Sequence, residues 1–443
     1  MSEWKKVKIG EIFNIEKGSL QSSKNEVGKY DFITAAADWK THNFYDHDCE
    51  AIVYAVAASG SLGRAHYVNG KFIASDLCFI LTEKDKEKYP INFQFYQLIF
   101  ELIREEIVSK TKTGTSKESI NQKNFSNYEI PYFSFDYQMA NYEKLVNTKQ
   151  KNSELLEESE KQKSYTKQLR QNILQDAIEG RLTEEWRKNN PVVKGNPDFD
   201  AEALFERIQE EKSHTDSILL TQNQEKKKKG KSLDFPNPCG NTEKPFVIPE
   251  GWKWVRLGEV CNSITDGDHL PPPKQSTGIP FVVISDISSG IINFKGDRFV
   301  SEDYFTKLPL EKIPLKDDIL YTVTGSYGIP VFVTDFQFCV QRHIGIIKPK
   351  LYLKDFIYYC LMSPICKKQA DFVAWGVAVK TVPIKELRKF IIPLPPLAEQ
   401  EEIVRVVEAQ LAKVDQLEEQ ITERETLTKR LMQSIMKDAF REE

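Results

Sequence analysis

Four groups of residues in this chain are of the types that touch nucleic acid. The stretch Thr111–Lys117 (TKTGTSK) offers Lys112, Thr113, Thr115 and Lys117 around a glycine, the mixture of charge, hydroxyls and small size that close approach to a phosphate chain needs. Gly60-Ser61-Leu62-Gly63-Arg64 and Gly325-Ser326-Tyr327-Gly328 are short glycine turns after strand-like runs, able to present Ser61, Arg64, Ser326 and Tyr327. Gln341, Arg342 and His343 carry base-reading groups, since arginine pairs with guanine and glutamine with adenine in the major groove. Lys380 ends the stretch Trp375–Lys380 (WGVAVK), a less basic counterpart of the first.

Catalytic constellations are missing. No HExxH, GxSxG, GxGxxG or kinase set occurs, nor the Asn-Pro-Pro-Tyr run of amino-methyltransferases, so no catalysis is expected of the chain itself. His42, His47 and Asp48 lie close together, but in an acidic, turn-rich stretch without a second ligand cluster, which reads as a polar loop and not a metal site. Gly230-Lys231-Ser232 has the look of the end of a phosphate loop, yet the required first glycine falls at Glu225, which excludes nucleotide binding there. Seven scattered cysteines, never in a CxxC, suit reduced thiols.

These groups need a scaffold, and 443 residues are enough for roughly two to four domains. A hydrophobic share of 40% and a charged share of 28% argue for globular units over disorder. No run approaches the ~18 apolar residues of a membrane span, and the N-terminal stretch is charged where a signal peptide is apolar, so a cytoplasmic protein is expected. The net charge of -4 gives no global basic signal, but charge is segregated. Residues 252–393 hold 18 Lys and Arg against 14 Asp and Glu, whereas residues 394–443 hold 7 against 12.

The architecture follows from an internal repeat. Trp4, Val7, Gly10 and Glu11 match Trp252, Val255, Gly258 and Glu259 at an offset of 248, and the two glycine turns match at 265. From about residue 95 the offset settles at 262, pairing Gly114 with Gly376, Ile120 with Val382, and Ile130-Pro131 with Ile392-Pro393. It runs on through Leu169, Ile173 and Asp176, which match Leu431, Ile435 and Asp438. Each unit of about 180 residues is a mixed α and β globular part followed by a long helix. Strands are expected at 51–54, 281–284 and 390–392, and helices at 93–108 and 354–370.

Between Pro131 and Pro191 there is no proline, and from Leu397 onward neither proline nor glycine, so two long helices are expected. In the second, Val407, Val414, Ile421, Thr428 and Ile435 recur every seven residues, with Leu417 and Leu431 at the alternate seam position. The first-helix seam is Leu145, Asn152, Ser159, Thr166 and Ile173, alternating with Leu155 and Leu169. A helix over 398–440 is too long to bury itself in one small domain, so the two helices are expected to pair as an intramolecular antiparallel coiled coil with pseudo-two-fold symmetry. The expected fold is therefore α+β: a domain at 1–136, a long helix at 137–190, a linker at 191–250 containing Lys226–Lys229 as a solvated loop, a second domain at 251–393, and a second long helix at 394–443.

Three motifs resemble the specificity subunits of type I restriction-modification systems. Residues 391–400 (IIPLPPLAEQ) are similar to that family's approach to its C-terminal helix, and residues 168–186 to its central region. The stretch from Pro249-Glu250-Gly251-Trp252 through Asp266-Gly267-Asp268-His269 to Gly278-Ile279-Pro280-Phe281 resembles the opening of a target recognition domain. The first unit departs from the pattern, with PYFSFDYQ at 131–138 and no counterpart of Asp266–His269.

The resemblance implies two target recognition domains, each reading one half of a split, asymmetric DNA sequence, with the helices as a spacer. It adds Asp268 and His269 to the DNA-contacting candidates. It implies as partners two methyltransferase subunits, which carry S-adenosylmethionine, and two restriction subunits, which use ATP and Mg, while this chain holds no cofactor or metal and meets no membrane. The alternative from the residues alone is a coiled-coil scaffold that binds no DNA; salt-sensitive duplex binding separates the two.

Overall fold

The computed structural model describes residues 4–57, 60–114, 118–222, 244–268, 272–296, 298–377 and 379–438. The chain divides into two compact units, Met1–Lys161 with Ile421–Glu443, and Gln162–Gln420.

In the first unit six strands form one sheet in the order Phe13–Lys17, Cys78–Glu83, His47–Ala55, Ala65–Ala74, Tyr30–Ile33, Lys40–His42. All neighbours run antiparallel except Ala65–Ala74 with Tyr30–Ile33. The strand His47–Ala55 is buried throughout its last five residues because both faces of the sheet are covered there. Ile52 and Tyr54 pack with Phe13, Tyr96 and Phe100, whereas Ala51, Val53 and Ala55 pack on the other side with Val68 and Phe72. The helix expected at 93–108 is two, Phe93–Leu102 and Arg104–Thr111, separated at Ile103. The first begins at Asn92, whose side chain accepts from the Phe95 N–H and so satisfies an otherwise orphaned donor.

In the second unit Cys261–Asp266, Ile344–Pro349, Ile319–Thr322 and Pro330–Phe332 make a four-stranded antiparallel sheet. Phe299–Val300, Ile279–Val282 and Cys339–Val340 make a three-stranded one whose last pair is parallel. Alternate residues again serve two cores: Ile319, Tyr321 and Ile347 pack with Phe356 and Leu361, and Leu320 and Ile346 with Val282 and Phe338. The strand expected at 281–284 stops at Val282, since Ile284 opens a short helix. The helix expected at 354–370 is Lys354–Met362 and Pro364–Val373, the proline occupying the first turn where its missing N–H costs nothing.

The repeat holds at the level of strand register. Trp4–Lys8 pairs with Glu129–Phe133, placing Val7 opposite Ile130, and Lys253–Arg256 pairs with Ile391–Leu394, placing Val255 opposite Ile392. The glycine just beyond each strand is needed for close approach: a methyl on Gly10 would lie 2.0 Å from Ser126 Oγ, and one on Gly258 3.1 Å from the carbonyl oxygen of Arg388, the residue 262 positions after Ser126. At the foot of each long helix the matched glutamine does the same work. Gln138 Nε2 donates to the Phe133 carbonyl at 2.9 Å, and Gln400 Nε2 to the Pro395 carbonyl at 2.8 Å.

The long helices are Phe135–Ile178 and Leu397–Asp438. Within the second unit Ile173 and Ala177 share a core with Ile403, Val407 and Val414. Arg170 bonds Asp415 and Glu418, and Thr183, just past the first helix, bonds Glu399; the segments therefore run antiparallel there. The seven-residue positions are buried as expected at Leu145, Ser159, Thr166, Ile173, Val407, Val414, Ile421 and Thr428, whereas Asn152 is only half-buried and the side chain of Ile435 lies outside the described residues.

The alternate position is corrected. Leu155, Leu169, Leu417 and Leu431 are 50%, 42%, 46% and 59% exposed, so none of them is a seam residue. Half-buried positions lie one residue later, at Leu156, Arg170 and Glu418, four residues after Asn152, Thr166 and Val414 instead of three, and Glu425 is likewise half-buried four residues after Ile421. Polar seam positions hid this shift, because the apolar leucines nearby gave the stronger sequence signal.

The expected linker is in part folded. Ala201–Gln222 is a helix, and its Ala201, Leu204 and Ile208 are fully buried beside Leu257 and Cys261 in the second unit's core. Lys226–Lys229 and Gly230-Lys231-Ser232 lie outside the described residues. Among the described residues no helix is long and apolar enough to cross a membrane, and no cluster of three or more His, Cys, Asp or Glu could hold a metal ion.

Candidate nucleic-acid interface

In the first unit the glycine turn is held from below by a residue that sequence reasoning passed over. Arg104 donates through Nε to the Leu62 carbonyl at 2.7 Å and through a terminal nitrogen to that of Gly60 at 3.2 Å. Gly60 and Gly63 each have a φ of 80°, which only glycine adopts without strain. Arg64 donates to the Ala35 carbonyl at 2.8 Å and to Ser61 Oγ at 3.2 Å.

Lys112–Thr113 forms a two-residue hairpin with Ser119–Ile120. The Ile120 N–H donates to the Val56 carbonyl at 2.8 Å, one residue beyond Ala55, whose N–H donates to Arg64 at 2.8 Å. Ser61, Arg64, Lys112 and Thr113 thus come to one end of the sheet, while Thr115 and Lys117 lie outside the described residues. Lys112 pairs with Glu118 at 2.7 Å, both largely exposed. Such a pair contributes about 0–1 kcal/mol and yields readily to a phosphate.

Beside the turn lies a cavity of about 580 Å³ lined by Trp39, Arg64, His66, Gln97, Glu101 and Arg104. Trp39 Nε1 donates to His66 Nδ1 at 3.1 Å, which fixes the imidazole's tautomer. Burial, with the Arg64 charge acting in the same direction, holds His66 below the usual histidine range. Neither spacing nor composition marks Trp39, His66, Gln97 or Arg104; only the fold assembles them. His42 and His47 take structural places instead: His42 is buried, and His47 lies 2.7 Å from Asp46 with its ring stacked on Phe72.

In the second unit, candidates spread over more than a hundred residues converge. The Gly325 N–H donates to the Lys380 carbonyl at 2.9 Å, and the Val323 N–H to that of His343 at 3.1 Å. His343 Nδ1 lies 3.0 Å from Thr324 Oγ1, and Thr324 and Thr381 hydroxyls are 3.3 Å apart. Asp268 forms an isolated bridge with Gln341, so Gln341, Arg342 and His343 sit along the same edge as the Gly325–Gly328 turn and its Ser326. The Asp268 carboxylate is already engaged by the Tyr304 hydroxyl at 3.0 Å and Lys312 at 3.3 Å, which makes it a brace for this edge. His269 lies outside the described residues. Burial and the adjacent Arg342 charge lower the His343 pKa, which favours the neutral ring that can both donate and accept. Tyr327 donates to Asp371 at 2.8 Å beneath Lys367, whose ammonium stands 4.2 Å from the ring centre.

The two turns share a further feature. A methyl on Gly63 would lie 3.2 Å from the Tyr54 hydroxyl, and one on Gly328 3.7 Å from that of Tyr321. Both hydroxyls are buried and without a hydrogen-bond partner among the described residues.

The family model described as type I restriction modification DNA specificity domain matches residues 1–167 and 249–424, one segment for each copy of the repeat. The chain belongs to this family, the specificity subunits of type I restriction-modification systems. It is similar to the type I restriction enzyme EcoDI specificity subunit of Escherichia coli, 24% identical over all of this chain and 88% of that one. It is also similar to the EcoBI specificity subunit of the same organism, 30% identical over 45% of this chain and 43% of that one. Among solved structures, the HsdS subunit from Thermoanaerobacter tengcongensis has the same fold, with a TM-score of 0.52 at 19% identity over 99% of this chain and 97% of that one. A chain from the structural work on assembly and conformational transition of the type I R-M system reaches 0.63 at 19% identity, covering 99% and 98%.

Proposed function

We propose that this chain supplies the address of a type I restriction-modification complex and performs no catalysis of its own. Each globular domain reads one half of a split, asymmetric target in double-stranded DNA, and the long helices set the unread spacer between the halves. In domain terms, residues 1–136 and 251–393 read, residues 137–190 and 394–443 space through the long helices they carry, and residues 191–250 connect, with Ala201–Gln222 packed into the second unit's core.

The observation that carries this reading is the convergence of hydroxyls, cations and glycine turns at one end of the sheet in each unit, on matched elements of a duplicated fold. A positive regional balance over 252–393 supports it, within a chain whose net charge is -4. Two methyltransferase subunits, bringing S-adenosylmethionine, and two restriction subunits, bringing ATP and Mg, supply the chemistry. A target adenine would be flipped into the methyltransferase's own pocket, so this chain needs no cofactor. The working place is the cytoplasm, with the DNA.

Exchanging residues 252–393 for the equivalent domain of a relative with a different target tests the modular reading. The expected result is a methylated motif altered in one half only; an alteration in both halves would refute it.

A further inference from the structure

The two units carry the same hairpin with opposite chemistry. In the first, Lys112–Thr113 pairs with Ser119–Ile120 around Gly114, which has a φ of 90°. In the second, Trp375 and Thr381 exchange backbone hydrogen bonds of 3.1 and 2.9 Å around Gly376, with a φ of 127°. Each hairpin is anchored identically: Ile120 donates to Val56 and Val382 to Val323, both at 2.8 Å. At the offset of 262, however, Thr113, Thr115 and Lys117 are replaced by Trp375, Val377 and Val379.

The resulting tip is apolar and bare. Trp375 is 68% exposed, Val377 109%, Val379 56%, and Phe372 on the preceding helix 90%. Single exposed apolar residues are ordinary, but four together at a hairpin held beside a glycine turn call for a partner. Exposed cations accompany them, Lys380 on the hairpin itself and Arg342 and Lys368 beside it in the same unit, while Lys367 is paired with Asp371; the balance suits a polyanion. The contrast between copies points the same way. A methyltransferase bound once to each half of a duplicated chain would meet features the repeat retains, whereas the partner that differs between halves is the DNA sequence.

We propose that Trp375, with Val377 and Val379, is an apolar wedge that enters a base step of the half-site read by the second domain, the indole stacking on a partly unstacked base. The first domain's hairpin instead makes polar contacts. Apolar wedges open steps at a cost of a few kcal/mol, recovered through added contact, and pyrimidine–purine steps open most easily. The inference rests on the DNA-reading function proposed above and adds the mode of contact.

The test uses the full chain assembled with its methyltransferase, on duplexes carrying 2-aminopurine at each position of the second half-site in turn. The expected result is a fluorescence rise at one step with the wild type and none with Trp375→Ala, whose affinity falls by about tenfold or more. Trp375→Phe should restore most of both. Because the side chain is exposed, an unchanged melting temperature in Trp375→Ala will separate lost contact from lost fold. Tight, specific binding by the wild type with no 2-aminopurine response anywhere would overturn the wedge alone. So would Trp375→Ala that binds DNA normally but loses the methyltransferase, which would assign the tip to a protein contact. Absence of any sequence-specific binding by the wild-type complex would overturn the DNA reading and the wedge with it.

Discussion

The carboxylate of Glu399 accepts the indole N–H of Trp252 at 2.6 Å, tying the first turn of the C-terminal helix to the start of the second domain. The same carboxylate accepts from Thr183 at 2.7 Å and pairs with Arg187, which in turn donates to the Gly180 carbonyl at 2.6 Å. Glu399 is 1% exposed, so three separate stretches of chain, around Thr183, Trp252 and Glu399 itself, meet at one buried carboxylate.

Glu399→Ala removes the acceptor shared by Trp252 and Thr183 and the buried countercharge of Arg187. It should lower the unfolding free energy of the second unit by about 3 kcal/mol. Glu399→Gln, which keeps an acceptor but loses the charge, should cost less. Denaturant titration followed by tryptophan fluorescence measures both, and an alanine variant as stable as wild type would show that the network is ornamental.

Arg170 lies at a half-buried seam position and holds the Glu418 carboxyl below its usual range, chiefly through their hydrogen bond. A depressed carboxylate contributes stability above its unfolded pKa that is lost as pH falls through the folded value. The melting-temperature deficit of Arg170→Met should therefore be larger at pH 7 than at pH 3. An equal deficit at both would mean that the guanidinium acts by packing alone.

Gly60 and Gly63 share a φ of 80°, but a methyl at Gly60 meets open space while one at Gly63 would lie 2.6 Å from Val108. Gly60→Ala should cost about 1 kcal/mol from backbone strain, and Gly63→Ala clearly more. Both should weaken recognition of one half-site only. Equal destabilisation, or loss of both half-sites, would contradict this assignment of the turn.

Adding one heptad to each long helix, beside Gln162 and Gln420, adds about 10.5 Å of helix and should lengthen the unread spacer by roughly three base pairs. Both half-site sequences should stay as they are. Methylated-motif sequencing reads the spacing, and an unchanged spacer would remove the helices from the ruler role.

Much of this was legible in the sequence because duplication writes the fold twice. The register of Val7 on Ile130 and of Val255 on Ile392 follows directly from matched residues, and the buried seven-residue positions follow from their period. The alternate seam was misplaced because Arg170 and Glu418 fill it with charge that pairs across the interface, whereas the exposed Leu169 and Leu417 mimic an apolar stripe. Ala201–Gln222 read as connector since few apolar residues among many charges suffice to bury one helix face. The candidate site was legible where it is basic, at Arg64 and Lys112. A search for cations cannot find Trp375, and the Trp39–His66 pair exists only once Lys40–His42 and Ala65–Ala74 share a sheet.

The central claim, that this chain supplies the address, is tested most directly by a methylome. The chain is expressed with the methyltransferase encoded beside its gene in a methylation-free host, with and without this chain. Adenine methylation confined to one split motif, and lost when the chain is omitted, is the expected result. The same methylation pattern in its absence would contradict the account.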